Sequence, residues 1–332
     1  MIASAPRLLA VRELTVEFET RQGIVRALDD VTLEIGRGEV VAVVGESGSG
    51  KSVTAMAIMG ILDAAARIRR GRIEFAELDL LSLDEVAMNA IRGRRIAMIF
   101  QNPKSSLNPI QTVGHTLVDI LRAHASSPLS FREAREKAIE LLKQVKITEP
   151  ARRFDAFPFE LSGGMCQRVM IAAALACEPE LMIADEPTTA LDVTTQAVVM
   201  DIIADLCRER GMAVMFVTHD LALASEYSDR IVVMHAGHVV EAAPAGEFFR
   251  APTHPYSRLL LGSIPYDKVD ASQLAPLPGI LPDLRRRDLP PCRFAERCPK
   301  AQGPCRTQPT PVVTVAPDHA VKCHFAHVEP AS

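Results

Sequence analysis

Much of the structural information in this 332-residue chain is concentrated in one segment, Glu39-Val-Val-Ala-Val-Val-Gly-Glu-Ser-Gly-Ser-Gly-Lys-Ser52. Its first part is a continuous run of β-branched and small apolar residues, which predicts a buried strand. A match to G-x-x-x-x-G-K-[ST] follows, and residues 53–62 then have the pattern of a helix. Because phosphate-binding loops join a strand to a helix in this way, the segment predicts a nucleotide-binding α/β core.

The loop offers groups that suit a triphosphate. Its glycines let the backbone turn tightly, so that successive N–H groups and the helix N-terminus point at the anion. Lys51 is expected to reach the β- and γ-phosphates, and the Ser52 hydroxyl to bind Mg²⁺. The sequence lacks the Asn-Lys-x-Asp motif that reads guanine, so ATP is the expected nucleotide. The predicted contacts in and beside the loop are Gly45, Glu46, Ser47, Gly48, Ser49, Gly50, Lys51, Ser52 and Val53.

A second apolar run, Leu181-Met-Ile-Ala-Asp-Glu186, places two adjacent carboxylates at the end of a predicted strand. Carboxylates at such a position are costly unless a cation or a reaction uses them. In ATPases with this kind of loop, the first carboxylate belongs to the Mg²⁺ shell, and we assign that role to Asp185. Glu186 is then predicted to polarise the attacking water.

Composition limits the classes of protein that fit. A hydrophobic content of 48% over this length allows one sizeable core and a smaller appended unit. The 37 Lys and Arg residues against 41 Asp and Glu residues give a net charge of -4, which favours neither a nucleic-acid partner nor a strongly anionic surface. The N-terminus lacks a secretion-signal pattern, and no apolar run approaches the roughly 18 residues of a spanning helix, so we expect a cytosolic protein.

Strand and helix patterns alternate up to about residue 249, which predicts a largely parallel sheet covered by helices. Between two predicted strands, two helical patterns indicate a helical subdomain at about residues 107–176, inside an ATPase domain of residues 1–250. From residue 251 prolines become frequent and periodicity fades, so residues 251–332 are predicted to be an extension without an ordinary core. The further predicted elements are strands at 95–100, 181–184 and 213–218 and helices at 113–124 and 131–145.

The segment Leu161-Ser-Gly-Gly-Met165 resembles the signature of the ABC ATPase family, and it precedes the Asp-Glu strand as in that family. Ser162 and the amides of Gly163 and Gly164 can present donors and a positive helix end to a γ-phosphate. The resemblance implies that this phosphate belongs to ATP on a partner subunit, so that two subunits enclose two nucleotides. The commonest signature ends in Gln where this chain has Met165, so a hydrogen bond from that side chain is absent.

The resemblance extends to further single positions. It implies that Gln101 contacts Mg²⁺ or water and couples ATP hydrolysis to a permease. It also implies that His219 contacts the γ-phosphate, so that the predicted catalytic residues are His219, Lys51 and Glu186. Asp192 ends Thr189-Ala-Leu-Asp192, which resembles the D-loop that crosses between subunits. Phe18 is the candidate for the aromatic ring that stacks on adenine. The implied fold is a RecA-like α/β P-loop core with an ABC helical subdomain.

The end of the chain narrows this resemblance to the dipeptide and oligopeptide importer ATPases. Two segments resemble the C-terminal extension of that branch, Thr253-His-Pro-Tyr-Ser-Arg-Leu-Leu260 and Pro291-Cys-Arg-Phe-Ala-Glu-Arg-Cys298. The resemblance implies a [4Fe–4S] cluster on four cysteines spaced C-x5-C-x6-C-x17-C, which is wider than the C-x2–4-C pairs typical of zinc. Zinc and free thiols remain alternatives, with His324 as a substitute ligand. The cysteines are Cys292, Cys298, Cys305 and Cys323.

The same resemblance implies a set of partners at the cytoplasmic face of the plasma membrane. These are a second, related ATPase subunit, two transmembrane permease subunits and, indirectly, an extracytoplasmic peptide-binding protein. Import of another small solute such as nickel is an alternative to peptides. A soluble ABC ATPase acting on nucleic acid or ribosomes usually has two ATPase cores or a long coiled-coil insertion. A metal-sensing module that binds ATP without turnover is a third class, which the intact Lys51, Asp185, Glu186 and His219 disfavour.

Overall fold

The computed structural model describes residues 6–189, 191–263 and 277–326. In chain order its strands are β1 (Arg7–Thr20), β2 (Gly23–Gly36), β3 (Val40–Val44), β4 (Ala66–Phe75), β5 (Leu78–Asp79), β6 (Ile96–Ile99), β7 (Leu181–Asp185), β8 (Ala213–Thr218), β9 (Arg230–His235), β10 (His238–Pro244), β11 (Val312–Ala316) and β12 (His319–Lys322). Its helices are α1 (Lys51–Met59), α2 (Glu85–Ile91), α3 (Pro103–Ser106), α4 (Val113–Ala123), α5 (Phe131–Gln144), α6 (Pro150–Arg153), α7 (Gly163–Leu175), α8 (Val193–Arg210), α9 (Leu221–Tyr227), α10 (Ala245–Arg250), α11 (Pro255–Gly262) and α12 (Gly303–Thr307).

The chain divides into two compact units. The first unit comprises residues 1–81 and 216–332, and the second comprises residues 82–215. The boundary between residues 215 and 216 falls inside strand β8, which runs from residue 213 to residue 218. The phosphate-binding segment and His219 therefore belong to the first unit, and the Asp-Glu strand and the signature belong to the second.

In the first unit, β3 pairs in parallel with β9, and both strands are buried along most of their length. A strand covered on both faces carries a continuous apolar run, which is why the sequence predicts β3 correctly. The same unit contains an antiparallel sheet in the order β2-β1-β4-β5. The patterns do not predict this sheet, because the pairing register of β1 shifts between Val11 and Leu14 and again between Leu14 and Val16. Such bulges interrupt the two-residue alternation by which strands are recognised.

The C-terminal extension has more regular structure than its composition predicts. It forms α11, α12 and the hairpin of β11 and β12, and β12 pairs with β10. Tyr256, Phe294 and Val321 are fully buried or nearly so. The extension therefore completes the core of the first unit instead of building one of its own.

A buried carboxylate holds this extension in place. Glu241 on β10 is fully buried, and it accepts hydrogen bonds from the backbone N–H groups of Thr253 and His254 at 2.7 and 2.9 Å. The ring Nε2 of His319 on β12 lies 2.8 Å from the same carboxylate. Because a buried carboxylate is stable only when its oxygens are paired, these contacts hold the start of α11 and strand β12 against β10.

The second unit is mainly helical. Helices α4 and α5 match the predicted patterns to within a residue at each end, and both begin at capping side chains, Thr112 and Ser130. Ser130 and Glu133 form a reciprocal capping box, which explains why α5 starts at Phe131. The unit also contains β6 and β7, which pair in parallel. In the three described ranges, no helix combines the length and apolar character needed to cross a bilayer.

Candidate active site

The phosphate loop, residues 45–52, joins β3 to α1 as the motif predicts. Gly45 has a φ of +148°, and a Cβ built on it would lie 2.1 Å from the carbonyl oxygen of Met234 on the neighbouring strand β9. A larger residue is therefore excluded both by backbone conformation and by close approach. Gly50, with a φ of 109°, precedes the first residue of α1. The loop consequently ends at a helix N-terminus, where unpaired N–H groups favour an anion.

Lys51 is buried, and its ammonium is turned back onto the loop. Its Nζ donates hydrogen bonds to the carbonyl oxygens of Gly45 at 2.8 Å and Glu46 at 2.9 Å. These two carbonyls hold the charged end of the lysine beside the loop backbone, where a phosphate is expected to bind. Its contact with the phosphates remains a prediction.

The remaining predicted residues of the first unit take several environments. Ser49 is fully buried, and its hydroxyl has no hydrogen-bond partner in the described part of the chain. Ser52 and Val53 are half-buried in the first turn of α1, and Ser47 and Gly48 are exposed. His219 is exposed directly after β8, and half-buried Phe18 lies on β1 opposite Val25 of β2.

In the second unit, Asp185 is buried as the last residue of β7, and Glu186 follows it in a left-handed backbone conformation with a φ of 46°. Gln101 Nε2 donates to Glu186 Oε2 at 2.6 Å, and Thr189 Oγ1 donates to the same oxygen at 2.8 Å. A non-glycine residue in this conformation is uncommon and occurs in turns as well as at functional sites. The structure thus brings together Gln101 and Glu186, which the sequence predicts as separate site residues.

The signature segment begins helix α7. Ser162 caps the helix by accepting a hydrogen bond from the Met165 N–H at 3.3 Å, and Gly163 is the first helical residue. Leu161 is buried and anchors the segment, whereas Ser162 is exposed. The exposed cap and helix end can therefore present donors to an anion from outside the chain.

Thr195 connects the signature to the predicted D-loop, and sequence reasoning did not identify it. A Cβ on Gly164 would lie 2.6 Å from the Thr195 methyl group, so the two helices meet closely at this glycine. The N–H and hydroxyl of Thr195 also donate to the Asp192 carboxylate at 3.0 and 2.7 Å, which caps α8. Ala190, inside the predicted D-loop, lies outside the described residues.

The four cysteines of the extension line a single cavity of about 100 Å³, together with His254, Phe294 and His324. All four are free thiols. Among the described residues, no group of three or more His, Cys, Asp or Glu side chains is placed to hold a metal ion. The cysteines are Cys292, Cys298, Cys305 and Cys323.

Burial is the main influence on these thiols. It raises the pKa of Cys292 to about 11, and it also raises the pKa values of Cys298 and Cys323. A backbone N–H two residues further along opposes each shift, from Phe294, Lys300 and Phe325 in turn. The Phe325 N–H lies 3.4 Å from the Cys323 sulfur. Such N–H donors stabilise a thiolate, as they do around sulfur ligands of clusters.

The sequence did not identify two side chains that contact the phosphate loop. Arg297 and Tyr256, both in the extension, hold the side chain and the backbone of Glu46. The position of Arg297 beside Cys298 was visible in the sequence, but its partner is 251 residues away. Short-range patterns carry no signal for such a pair.

The sequence matches two family profiles and several known proteins. The ABC transporter family profile matches residues 28–189, and the profile of the oligopeptide/dipeptide transporter C-terminal region matches residues 240–305. The probable peptide ABC transporter ATP-binding protein y4tR of Sinorhizobium fredii is 47% identical over 96% of this chain and 95% of its own length. The dipeptide transport ATP-binding protein DppD of Escherichia coli is 44% identical over 96% of each chain.

A solved structure shows the same fold. It is the dimeric ATP-binding cassette MJ0796 in a post-hydrolysis state bound to ADP and Pi, with a TM-score of 0.66 and 32% sequence identity. The alignment covers 72% of this chain and 99% of that one. The predicted α/β P-loop fold of the ABC class is confirmed.

The chain belongs to the ABC transporter family, in which it is an ATP-binding and ATP-hydrolysing subunit. Within that family it belongs to the oligopeptide/dipeptide transporter branch, since it carries the C-terminal region of that branch as well as the ATPase domain. The family predicted from the signature and from the cysteine segment is thereby confirmed.

Proposed function

We propose that this ATPase powers the import of dipeptides or oligopeptides through a membrane permease. The names of its relatives and its C-terminal region support peptides over nickel or another small solute. ATP binding and hydrolysis are the work of this chain, whereas the choice of solute belongs to the permease and to an extracytoplasmic binding protein.

In the proposed mechanism the phosphate loop binds the triphosphate through its N–H groups, and Lys51 neutralises the β- and γ-phosphates. Ser52, Gln101 and Asp185 are the proposed Mg²⁺ ligands. Hydroxyl, amide and carboxylate oxygens are the donors that Mg²⁺ prefers, so the residue types fit the ion. When bound, the ion supplies positive charge to the phosphate oxygens.

Glu186 is the proposed base that orients and polarises the attacking water. The hydrogen bonds from Gln101 and Thr189 carry this assignment, because they fix the direction of a carboxylate that directly follows the buried strand β7. His219 is the proposed contact to the γ-phosphate, and Phe18 is the proposed stacking partner of adenine. Both roles rest on the family resemblance.

The signature acts in trans in this proposal. Leu161, Ser162, Gly163, Gly164 and Met165 of one subunit complete the nucleotide site of a second, related ATPase subunit, and Asp192 lies in the D-loop between them. Two permease subunits bind the ATPase pair at the cytoplasmic face of the plasma membrane, so this chain is a peripheral membrane protein. Exposure of the Ser162 cap supports a contact with another chain.

Reconstitution of the full complex in lipid vesicles tests this function. Vesicles containing the permease, both ATPase subunits and the binding protein should take up radiolabelled dipeptide only with ATP. Ser162→Arg should abolish uptake, because a bulky cation at the helix end removes the donor and blocks the partner's nucleotide. Nickel uptake without dipeptide uptake would contradict the proposal. Dipeptide uptake that survives Ser162→Arg in this chain and the equivalent change in the partner ATPase would also contradict it.

We further propose that the cysteine cavity holds a [4Fe–4S] cluster. Four thiols that line one cavity, and that are spaced more widely along the chain than the cysteine pairs typical of zinc, suit a cluster better than a single zinc ion. The backbone N–H groups directed at three of the sulfurs support thiolate ligands. A cluster would stabilise the fold of the extension, and its proposed role is structural and not redox.

Anaerobic purification tests the cluster. We expect about four iron and four sulfide per chain with broad visible absorbance. Cys298→Ser should lose most of the iron, whereas Cys177→Ser, a half-buried cysteine of the second unit, should keep it. Stoichiometric zinc in place of iron would contradict the cluster, and so would a metal-free protein purified without oxygen.

A further inference from the structure

Glu46, the second residue of the phosphate loop, is held through its side chain by an arginine of the cysteine-bearing extension. Arg297 Nη1 donates to Glu46 Oε2 at 2.7 Å, and Nη2 donates to Oε1 at 3.0 Å. This two-point pairing fixes the orientation of the carboxylate as well as its distance. The Arg297 side chain is 5% exposed and that of Glu46 is 26% exposed, so water screens the pair little.

The guanidinium is itself fixed by the extension. Arg297 Nε donates to the carbonyl oxygen of Pro278 at 2.7 Å, and its Cζ lies 5.8 Å from the centre of the Phe294 ring. The backbone N–H of Arg297 donates to the Phe294 carbonyl at 2.9 Å. Arg297 therefore reaches the loop with little freedom of movement.

The backbone of Glu46 is held at both of its polar groups. The N–H donates to the hydroxyl of fully buried Tyr256 at 3.0 Å. The carbonyl oxygen accepts the hydrogen bond from Lys51 described above, at 2.9 Å. One residue thus connects two side chains of the extension to the lysine that is assigned to the phosphates.

We propose that Arg297 is a positioning residue for ATP binding, which acts through Glu46 on the phosphate loop and on Lys51, with Tyr256 as its second anchor. The inference rests on the proposed role of this loop in holding ATP. Arg297 contacts no nucleotide in this proposal. It keeps the loop in the shape that accepts phosphate, so that less ordering is required when ATP binds.

The location of Arg297 gives this contact a further consequence. It lies between Cys292 and Cys298, in a segment whose ends are joined by the Cys292 N–H, which donates to the Cys305 carbonyl at 3.2 Å. The conformation of the cysteine site therefore sets the position of the guanidinium. Changes at the cysteines should reach the ATP site through this arginine.

The test compares ATP kinetics in the assembled complex. Arg297→Gln should raise the KM for ATP about tenfold, which is the effect of losing one strong charged hydrogen-bond pair. Glu46→Gln should have a similar effect, and the double variant should be no worse than either single variant. Arg286→Gln is the matched control, because this half-buried arginine of the extension pairs with Asp288 and Glu296 and not with the loop.

A second variant covers the case in which Arg297→Gln does not fold. Tyr256→Phe removes only the hydroxyl that accepts from Glu46, and it should raise the KM for ATP several-fold. A KM within about twofold of wild type in either folded variant would overturn the inference. Additive effects of Glu46→Gln and Arg297→Gln would also overturn it. A wild-type complex without ATPase activity would instead overturn the proposed function.

Discussion

Gln101 and Glu186 share a short hydrogen bond, with 2.6 Å between Nε2 and Oε2. Glu186 also occupies a left-handed backbone conformation, with a φ of 46°, immediately after a buried strand. The carboxylate is thus aimed by its backbone and fixed by two donors, Gln101 and Thr189. This arrangement suits a group that must present the same oxygen to a water molecule in each catalytic cycle.

Thr189→Val tests the positioning of Glu186. Valine keeps the shape of threonine and removes the hydroxyl that donates to the carboxylate at 2.8 Å. We expect kcat to fall about 10- to 100-fold, because a hydrogen bond to a charged group is lost, while the affinity for ATP changes little. Thr194→Val is the control, because this threonine is exposed on α8. Equal kcat in the two variants would contradict the assigned role of Thr189.

Gly164→Ala tests the close contact between the signature helix and α8. A methyl group there would lie 2.6 Å from the Thr195 methyl, so either the Thr195 side chain or the helices must shift. We expect the unfolding temperature to fall by roughly 2–6 °C. Gly163→Ala is the matched control, because its nearest neighbour, a Leu191 methyl, is 4.0 Å away. Calorimetry that finds the same temperature for both variants would show that the contact is not tight.

The buried side chain of His235 should make the stability of the fold depend on pH. Burial is the main cause that lowers its pKa to about 3, so it stays neutral in the folded chain. The unfolded histidine takes up a proton below its ordinary pKa of about 6.5, so stability is complete above that pH and is lost as the pH falls toward 3. His238 and His254, with pKa values lowered to about 4, act in the same direction.

His235→Leu should remove one part of this dependence. Neither buried ring nitrogen of His235 makes a close hydrogen bond in the described residues, and Nδ1 lies 3.7 Å from Glu46 Oε2, so an apolar replacement removes few polar contacts. Between pH 4 and 6, the free energy of unfolding should fall less steeply than in wild type, by up to about 1.4 kcal/mol per pH unit. Denaturant titrations at several pH values measure this, and parallel curves for the two proteins would refute it.

Cys298→Ser should reduce ATP affinity as well as iron content. Without this cysteine, the backbone around the neighbouring Arg297 is less ordered, and Arg297 holds Glu46 less firmly. We therefore expect the dissociation constant for ATP to rise about three- to tenfold. Fluorescence titration with a labelled ATP analogue measures this constant. Cys177→Ser is again the control. Loss of iron with unchanged ATP affinity would separate the cysteine site from the phosphate loop.

Local patterns in the sequence predicted the parts of the site that lie on one continuous segment. The loop from Gly45 to Ser52 and the cap at Ser162 are fixed by neighbours within a few residues, so composition and spacing were enough. Asp185 and Glu186 were recognised because two carboxylates end an apolar run. Their roles remain predictions, as do those of His219 and Phe18.

Contacts between distant segments could not be predicted in the same way. Glu186 is 85 residues from Gln101, and Glu46 is 251 residues from Arg297. The spacing of the cysteines identified candidate ligands, but only folding brings all four to one cavity. The antiparallel sheet escaped prediction for a local reason, since bulges in β1 break the alternation of its side chains.

Steady-state ATP hydrolysis by the purified complex, with and without Glu186→Gln in this chain and its counterpart in the partner ATPase, tests the central claim most directly. The variant should bind ATP with wild-type affinity and retain it unhydrolysed, with kcat reduced at least about 100-fold. Glu178→Gln, at an exposed position before β7, should hydrolyse ATP like wild type. Undiminished turnover in the Glu186→Gln complex would contradict the account.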